Sequence, residues 1–204
     1  MPMKDKILLA AQGLFFKYGI RSISMDDIAK ELSISKKTIY QFFKEKDEIV
    51  DTLIQEKFKK DATQFEHIHK DANNVIEEMF NIMKHMGKVI GEVNPSMFYD
   101  LQKYHSHAWQ LFKEFREERM VKMIEEMLLR GIKQGYIRPD IASKILARMR
   151  MAQVEMGFNP AVFPPDKFKI IDVQLAMLEH FLYGICTLKG HKLVNKYKQI
   201  IEEE

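Results

Sequence analysis

The chain has 204 residues, of which 46% are hydrophobic, and its formal net charge is +3 at pH 7. This length and composition suffice for a sizeable core in one or two domains, so they exclude a disordered chain. The small net charge provides no global attraction to nucleic acid, so any such attraction must come from local clusters of charge.

A first helix is predicted over residues 4–18. Its apolar residues recur at helical spacing, which predicts one buried face. They are Ile7, Leu8, Ala11, Leu14 and Phe15. Gly19 follows at the position where a helix ends in a left-handed turn. We therefore expect this helix to support its neighbours and not to contact a partner.

Two short helices with serine caps follow. Ser24 is placed to accept a hydrogen bond from the amide of Asp27, which opens the first of them. Ser35 is placed to cap a second helix over residues 36–43, in which Ile39 and Phe43 share a buried face. This spacing predicts a helix-turn-helix unit.

The second of these helices carries a cationic face. Lys37, Gln41 and Lys44 follow i, i+4, i+7 spacing, Lys36 and Tyr40 flank them, and no carboxylate occurs from residue 33 to 44. Such a face suits a DNA groove, because lysines bind phosphates and amides bind base edges. A solvated charged helix is the alternative. The two capping serines at matched spacing favour DNA binding.

The order of these motifs resembles the tetracycline-repressor (TetR) family of bacterial transcriptional regulators. The residues that carry the resemblance are FFKYGI at 15–20, SMDDIA at 24–29 and SKKTIYQFFKEKDEI at 35–49. The resemblance implies an all-α fold with a three-helix DNA-binding domain at residues 1–46. It also implies a helical ligand-binding and dimerisation domain at residues 47–204, which a long helix starting at Asp47 enters.

The resemblance also implies which side chains contact DNA. It assigns Thr38, Tyr40, Lys44 and Lys46 to the DNA backbone, and Lys36, Lys37 and Gln41 to the neighbourhood of the base edges. The chain departs from the family pattern at three positions. Lys37 stands where the family often has glycine, Phe42 where it has tyrosine or histidine, and Ser33 where it has the turn glycine.

Beyond residue 50 the pattern predicts only helices. They cover residues 47–69, 72–91, 96–104, 106–134, 140–157, 167–188 and 191–203. The breaks between them fall at Asn94-Pro95, at Arg138-Pro139-Asp140 and in the connector 158–166. Proline suits the first turn of a helix but not its interior, so each break ends one helix and starts another.

The apolar helix near the C-terminus indicates self-association. Residues 170–188 are apolar over more than one face, and one face needs a cover from outside the chain. The resemblance places a homodimer bundle on the helices at 140–157 and 167–188. Gly184 would allow close helix approach there, or it would relieve crowding within one subunit.

Methionines and aromatic residues are abundant in the middle helices. The resemblance puts an effector cavity among them, and such a lining suits an apolar or aromatic small molecule. Our candidate ligand-binding residues are Met83, Met86, Phe98, Trp109, Phe112, Met123, Met127 and Met156. The alternative is that most of these side chains form an ordinary core.

The histidines and the cysteine offer little chemistry. Glu66 and His69 form a single Glu-x-x-His, whereas a di-iron bundle needs two copies, and the pairs His67/His69 and His105/His107 diverge on a helix. We interpret these histidines as surface residues and expect no metal or cofactor. No phosphate loop, dinucleotide fingerprint or activated nucleophile is present, which argues against an enzyme.

Three classes of function remain: a ligand-gated regulator, a DNA-binding protein without an effector, and a helical carrier or enzyme with a vestigial DNA-binding domain. The intact lysine face favours the first over the third.

No apolar run approaches the roughly 20 residues of a membrane span, and no signal-peptide pattern precedes Lys4. We therefore expect a cytoplasmic homodimer that binds a double-stranded DNA operator, with repression as the expected outcome.

Overall fold

A computed structural model of the chain describes residues 1–91, 94 and 96–198, and its regular structure is helical. Within that part of the chain, the only β-type pairing is a bridge between Ile137 and Cys186. The helices are α1 Met3–Tyr18, α2 Met25–Glu31, α3 Lys36–Tyr40, α4 Lys46–Asp71, α5 Val75–Gly91, α6 Met97–Tyr104, α7 Ser106–Phe115, α8 Val121–Lys133, α9 Ser143–Gly157, α10 Ile170–Ile185 and α11 Leu188–Tyr197. The predicted all-α fold class is confirmed.

Two predicted helices differ in their course. Residues 106–134 were expected to form one helix, but a π-helical turn, Arg116–Met120, separates α7 from α8. The helix predicted at 167–188 ends at Ile185, because the amide of Arg138 donates to the Ile185 carbonyl and the amide of Thr187 donates to the Tyr136 carbonyl. These bonds pull the chain into an extended segment, after which Thr187 caps α11.

Other predicted boundaries shift by a few residues. The helix predicted from residue 140 starts at Ser143, because the chain from 138 to 142 still turns after Pro139. The last helix was predicted to reach residue 203, and positions 199–203 lie outside the described residues. Pro95, part of a predicted break, also lies outside them. None of the described helices is long and apolar enough to cross a membrane.

The chain divides into two compact units. Unit 1 comprises Met1–Asp61 and Glu92–Phe115, and unit 2 comprises Ala62–Gly91 and Arg116–Glu204. Within unit 1, the start of α4 and the α6–α7 segment pack with the first three helices. Ile49 and Val50 of α4, Leu101 of α6 and Ala108 of α7 all belong to the core of unit 1. The functional division at residue 46 stays a prediction.

Segment α6–α7 is joined to the N-terminal helices by polar contacts. Asp100 of α6 is buried, and one of its carboxylate oxygens accepts a hydrogen bond from the amide of Arg21 at 3.0 Å. Gly19 has a positive φ of 83°, and a Cβ there would lie 2.7 Å from the hydroxyl oxygen of Ser96. The predicted helix end at Gly19 is thus confirmed, and this glycine also permits close approach of α6.

Unit 2 has an ion pair between two of its helices. The carboxylate of Glu78 on α5 is buried and accepts two hydrogen bonds from Arg130 of α8, at 2.7 and 2.6 Å. Nδ1 of His69 lies 3.2 Å from the same carboxylate. A buried carboxylate needs such partners, so this cluster fixes α5 against α8.

Candidate nucleic-acid interface and effector cavity

The two serine caps form as predicted. The Ser24 hydroxyl accepts from the amide of Asp27 at 3.2 Å, and the Asp27 carboxylate accepts from the Ser24 amide at 2.8 Å, which completes a capping box. A hydrogen bond from the Ser24 hydroxyl to the Asp27 carboxylate at 2.6 Å, together with the bond from the Ser24 amide, holds the pKa of Asp27 below its usual value. Ser35 accepts from the amide of Thr38 at 3.1 Å. Local hydrogen bonds therefore set where both helices begin.

The buried side of the helix-turn-helix is also confirmed. Ile28, Ile39 and Phe43 are at most 1% exposed and belong to one core cluster. This burial holds α3 by one face and leaves its opposite face to solvent.

Helix α3 is shorter than predicted. It ends at Tyr40 and not at Phe43, and the carboxylate of Glu48 in α4 accepts a hydrogen bond from the amide of Lys44 at 2.7 Å. This hydrogen bond thus ties the segment after α3 to the first turn of α4. The helical spacing that put Lys44 on one face with Lys37 and Gln41 is therefore wrong, although all three side chains are exposed.

Helix α3 and the segment that follows it, residues 36–44, carry two free cations. Within the part of the chain that the structure describes, the ammonium groups of Lys37 and Lys44 have no carboxylate partner. Tyr40 is 47% exposed beside them. The Thr38 hydroxyl lies 2.8 Å from that of Ser35 and is half-buried. This surface can donate hydrogen bonds to phosphates from several directions.

Lys36 is not free, because a carboxylate distant in sequence reaches it. Its ammonium lies 2.6 Å from the carboxylate of Asp26 in α2, and both side chains are exposed. A hydrogen bond from this ammonium to Asp26 raises the pKa of Lys36. The absence of carboxylates from residues 33–44 thus does not extend to the folded surface.

We expect Asp26→Asn to strengthen DNA binding. The substitution releases Lys36 and removes a negative charge near the predicted interface, so affinity should rise several-fold, with a steeper dependence on salt. Titration of labelled operator at several salt concentrations would measure both quantities. Asp140→Asn is the control, because Asp140 forms an exposed pair with Arg138 in unit 2. Equal effects of the two substitutions would contradict the prediction.

Lys46 is held within unit 1. Its ammonium donates to the carbonyl oxygens of Ile20 and Ile23, at 3.1 and 2.9 Å. Partial burial lowers the pKa of Lys46, while Asp47 and Asp100 oppose that shift. Two of its three hydrogens are therefore committed to the loop between α1 and α2. A phosphate contact by Lys46 stays a prediction, and only one donor is free to make it.

The turn between α2 and α3 is strained at Ser33. This residue has φ of 53°, and it is the only non-glycine residue with positive φ in the described part of the chain. The left-handed conformation brings Cβ close to the following carbonyl and costs an L-residue roughly 1–2 kcal/mol. The prediction that serine would occupy this turn under strain is confirmed.

We expect Ser33→Gly to stabilise the protein. Relief of the strain, less the extra conformational entropy of glycine in the unfolded chain, should raise the free energy of unfolding by about 0.5–1 kcal/mol. Chemical denaturation would measure the change. Ser33→Ala keeps the Cβ and is the control, since it should give no gain. A gain from alanine as large as that from glycine would point away from backbone strain.

A cavity of about 90 Å³ lies within unit 2. The structure gives it 16 lining residues, seven of them methionines: Phe65, Met79, Ile82, Met83, Met86, Met120, Met123, Ile124, Met127, Arg150, Met151, Val154, Phe158, Gln174, Leu178 and Phe181. Four of the predicted ligand-binding residues are among them: Met83, Met86, Met123 and Met127. Arg150 and Gln174 were missed, because a polar residue inside an amphipathic pattern gives no sign of facing a cavity.

The other four predicted ligand-binding residues lie elsewhere. Phe98, Trp109 and Phe112 pack on one another in unit 1, with ring centroids 5.0–5.4 Å apart. Met156 is 42% exposed on α9. None of the four lines the cavity in unit 2, and their role in ligand binding stays a prediction.

The surface interpretation of the histidines is wrong for His105. This side chain is 4% exposed, and its Nδ1 lies 2.8 Å from the carboxylate of Asp47. The next histidine, His107, is exposed and lies 2.7 Å from Asp51. No group of three or more potential metal ligands occurs among the described residues. Burial raises the pKa of the Cys186 thiol to about 12, which disfavours a thiolate.

Known proteins resemble the chain over most of its length. Residues 7–53 match the family model described as bacterial regulatory proteins, tetR family. The chain is 24% identical to the uncharacterized HTH-type transcriptional regulator YvaF of Bacillus subtilis, over 89% of this chain and 95% of that protein. A TetR-family regulator from Marinobacter aquaeolei VT8 has the same fold, with a TM-score of 0.78 at 20% identity over 98% of both chains. FadR of Bacillus subtilis, solved in complex with stearoyl-CoA, gives a TM-score of 0.66 at 20% identity over 89% and 98% of the two chains.

The capped α2–α3 pair and its lysine-bearing surface define a helix-turn-helix DNA-binding protein. The family match covers these same residues. Residues 7–53 carry the DNA-binding domain of the tetracycline-repressor (TetR) family of transcriptional regulators. The predicted family is thereby confirmed.

Proposed function

We propose that the protein is a homodimeric, ligand-responsive repressor that binds a palindromic operator. The observation that carries this proposal is the exposed surface of residues 36–44, where Lys37 of α3 and Lys44 after it have no carboxylate partner among the described residues. Helix α3 has only five residues, so one copy covers few base pairs. Two copies about 34–36 Å apart would bind successive major-groove turns.

Unpartnered apolar side chains on α9 support dimerisation. Ile145, Met149, Ala152 and Met156 are exposed at a spacing of four, three and four residues, which puts them in one stripe. On α10, Gly184 is exposed and a Cβ there would meet nothing within 4 Å. A second copy of the chain would cover such faces, so the predicted interface on α9 and α10 is retained in the proposal.

The cavity in unit 2 supports an apolar effector. Its lining is almost wholly apolar and rich in methionine, which adapts to irregular shapes. A volume of about 90 Å³ is below the roughly 300 Å³ of typical ligand pockets, so methionine side chains must move when a ligand binds. FadR of Bacillus subtilis was solved with stearoyl-CoA, and this likeness supports a ligand with an apolar chain.

Helix α4 is the proposed route from effector to DNA. It carries Phe65, which lines the cavity, and also Asp47 and Asp51, which contact His105 and His107 in unit 1. A ligand that tilts α4 would change the spacing of the two α3 helices in a dimer. Ligand acts only through its different affinity for the two states, and such coupling is typically about 1–3 kcal/mol.

The first experiment is selection of bound duplexes from a random DNA pool at near-physiological salt, followed by sequencing. We expect a palindrome whose half-sites lie one helical turn apart. We also expect two protein chains to bind each palindrome. Absence of any enriched sequence, with the protein folded and dimeric, would overturn the proposal.

A DNA-binding protein without an effector is the second candidate. The small volume of the cavity favours it, since about 90 Å³ holds no drug-sized molecule without rearrangement. Screening apolar compounds for release of the selected operator separates the two candidates. A compound that binds the protein and leaves operator affinity unchanged would count against ligand control.

A further inference from the structure

Arg150 is the unusual residue of the cavity in unit 2. It lies on α9, is 7% exposed, and lines the cavity among methionines and aromatic rings. Its Nη1 is buried and has no hydrogen-bond partner. Burial lowers the pKa of Arg150 to about 10, so the side chain stays positively charged at neutral pH.

Nearby carboxylates do not neutralise this charge. Glu155, on the same helix, accepts hydrogen bonds from Arg116 at 2.9 and 3.2 Å. Glu117 pairs with Arg116 and Arg148. Among the described residues no carboxylate contacts the Arg150 guanidinium, and its Cζ atom lies 6.0 Å from the centroid of the Phe181 ring.

Three other arginines in unit 2 have the carboxylate partner that Arg150 lacks. Arg116, Arg130 and Arg148 each lie within 3 Å of a carboxylate oxygen, and all three are more exposed than Arg150. A buried ion without a counter-ion is strongly unfavourable, and a methionine would fill the same space without that cost. Arg150 is therefore poorly explained as a packing residue.

Gln174 provides a second unpaired polar atom in the same cavity. The side chain is 1% exposed, and its amide nitrogen donates to the carbonyl oxygen of Val154 at 2.8 Å. Its amide oxygen is buried without a partner. The polar atoms in this apolar cavity thus include one charged donor and one acceptor, both unsatisfied.

We propose that the effector is an apolar monocarboxylate whose carboxylate accepts hydrogen bonds from Arg150 while its apolar part displaces the methionine side chains. This inference rests on the proposed function, since it names the ligand class of the same cavity. A carboxylate supplies both the missing negative charge and the planar pair of acceptors that a guanidinium binds best. The carbonyl of a thioester or an alcohol supplies no charge, so it would leave the cation uncompensated.

The experiment compares three C10 probes by isothermal titration calorimetry on the full chain: decanoate, 1-decanol and decanoyl-CoA. We expect decanoate to bind roughly ten-fold or more tightly than decanol, because a charged hydrogen-bonded pair forms only with the acid. Arg150→Met should remove this preference. Arg148→Met is the control, because that arginine is exposed two positions away.

Thermal unfolding without ligand tests whether Arg150 is needed for the fold. We expect Arg150→Met to unfold at the same temperature as the parent or higher, since it removes an unpaired buried charge. Arg150→Lys keeps the charge and should retain part of the preference for decanoate. The inference is overturned if Arg150→Met unfolds at a lower temperature than the parent and both Arg150→Lys and Arg150→Met keep the parent's preference for decanoate.

Other outcomes separate this inference from the proposed function. If decanoate binds no better than decanol, or if decanoyl-CoA alone binds, the carboxylate assignment is wrong even where a palindrome has been selected. If decanoate binding depends on Arg150 but no DNA sequence is enriched, the proposed function fails and the ligand assignment stands.

Discussion

Replacement of both Lys37 and Lys44 by alanine is expected to remove most operator binding and to leave the fold intact. The two ammonium groups are exposed and have no carboxylate partner within the described residues, so they are available to phosphates. A homodimer carries four such groups. The slope of log affinity against log salt should fall by about 3–4, and affinity should fall by roughly 100-fold or more.

The control for this double variant removes the same charge from another place. Lys122 and Lys133 are exposed on α8 in unit 2, and alanine at both positions changes the net charge equally. Operator titrations across a salt series would be run on both variants, with thermal unfolding as a check on the fold. A similar loss in both double variants would mean that global charge, and not the surface of residues 36–44, controls binding.

Lys46→Met is expected to destabilise unit 1 and to weaken DNA binding only as a consequence. The substitution leaves the carbonyl oxygens of Ile20 and Ile23 without their donor in a partly buried position. Loss of a hydrogen bond to a charged group costs about 1.5–3 kcal/mol, so a decrease of about 2–4 kcal/mol in the free energy of unfolding is expected.

The salt dependence of this variant separates two roles of Lys46. If the ammonium only organises the loop between α1 and α2, the slope of log affinity against log salt should match the parent. If it also contacts a phosphate, as the family resemblance implies, the slope should fall by about two for a dimer. Lys44→Met is the matched comparison, since its exposed ammonium makes no such bonds and its loss should lower the slope without lowering stability.

Local features of the helix-turn-helix could be predicted from the sequence, because the residues that form each feature are close along the chain. Ser24 and Asp27 are three residues apart, as are Ser35 and Thr38, so the caps could be predicted from spacing. Burial of Ile39 and Phe43 followed from helical periodicity in the same way. The π-helical turn at Arg116–Met120 has no such local signal and was missed.

Partners that are distant in sequence were not predictable. Lys36 and Asp26 meet across the turn, and Lys46 bonds to carbonyl groups more than 20 residues away. His105 was interpreted as a surface residue, yet Asp47 lies against it from α4. Each of these contacts gives a polar or charged side chain a partner from another part of the chain, and each depends on how helices pack.

The family, the helical fold and the buried face of the DNA-binding unit were determined by the sequence itself, since they depend on spacing, capping and hydrophobic periodicity over a few residues. Only the tertiary structure decided which lysines are free and which methionines line the cavity. It also placed Arg150 there without a partner. These properties depend on the side chains that neighbouring helices bring together, and one helix's periodicity does not specify its neighbour.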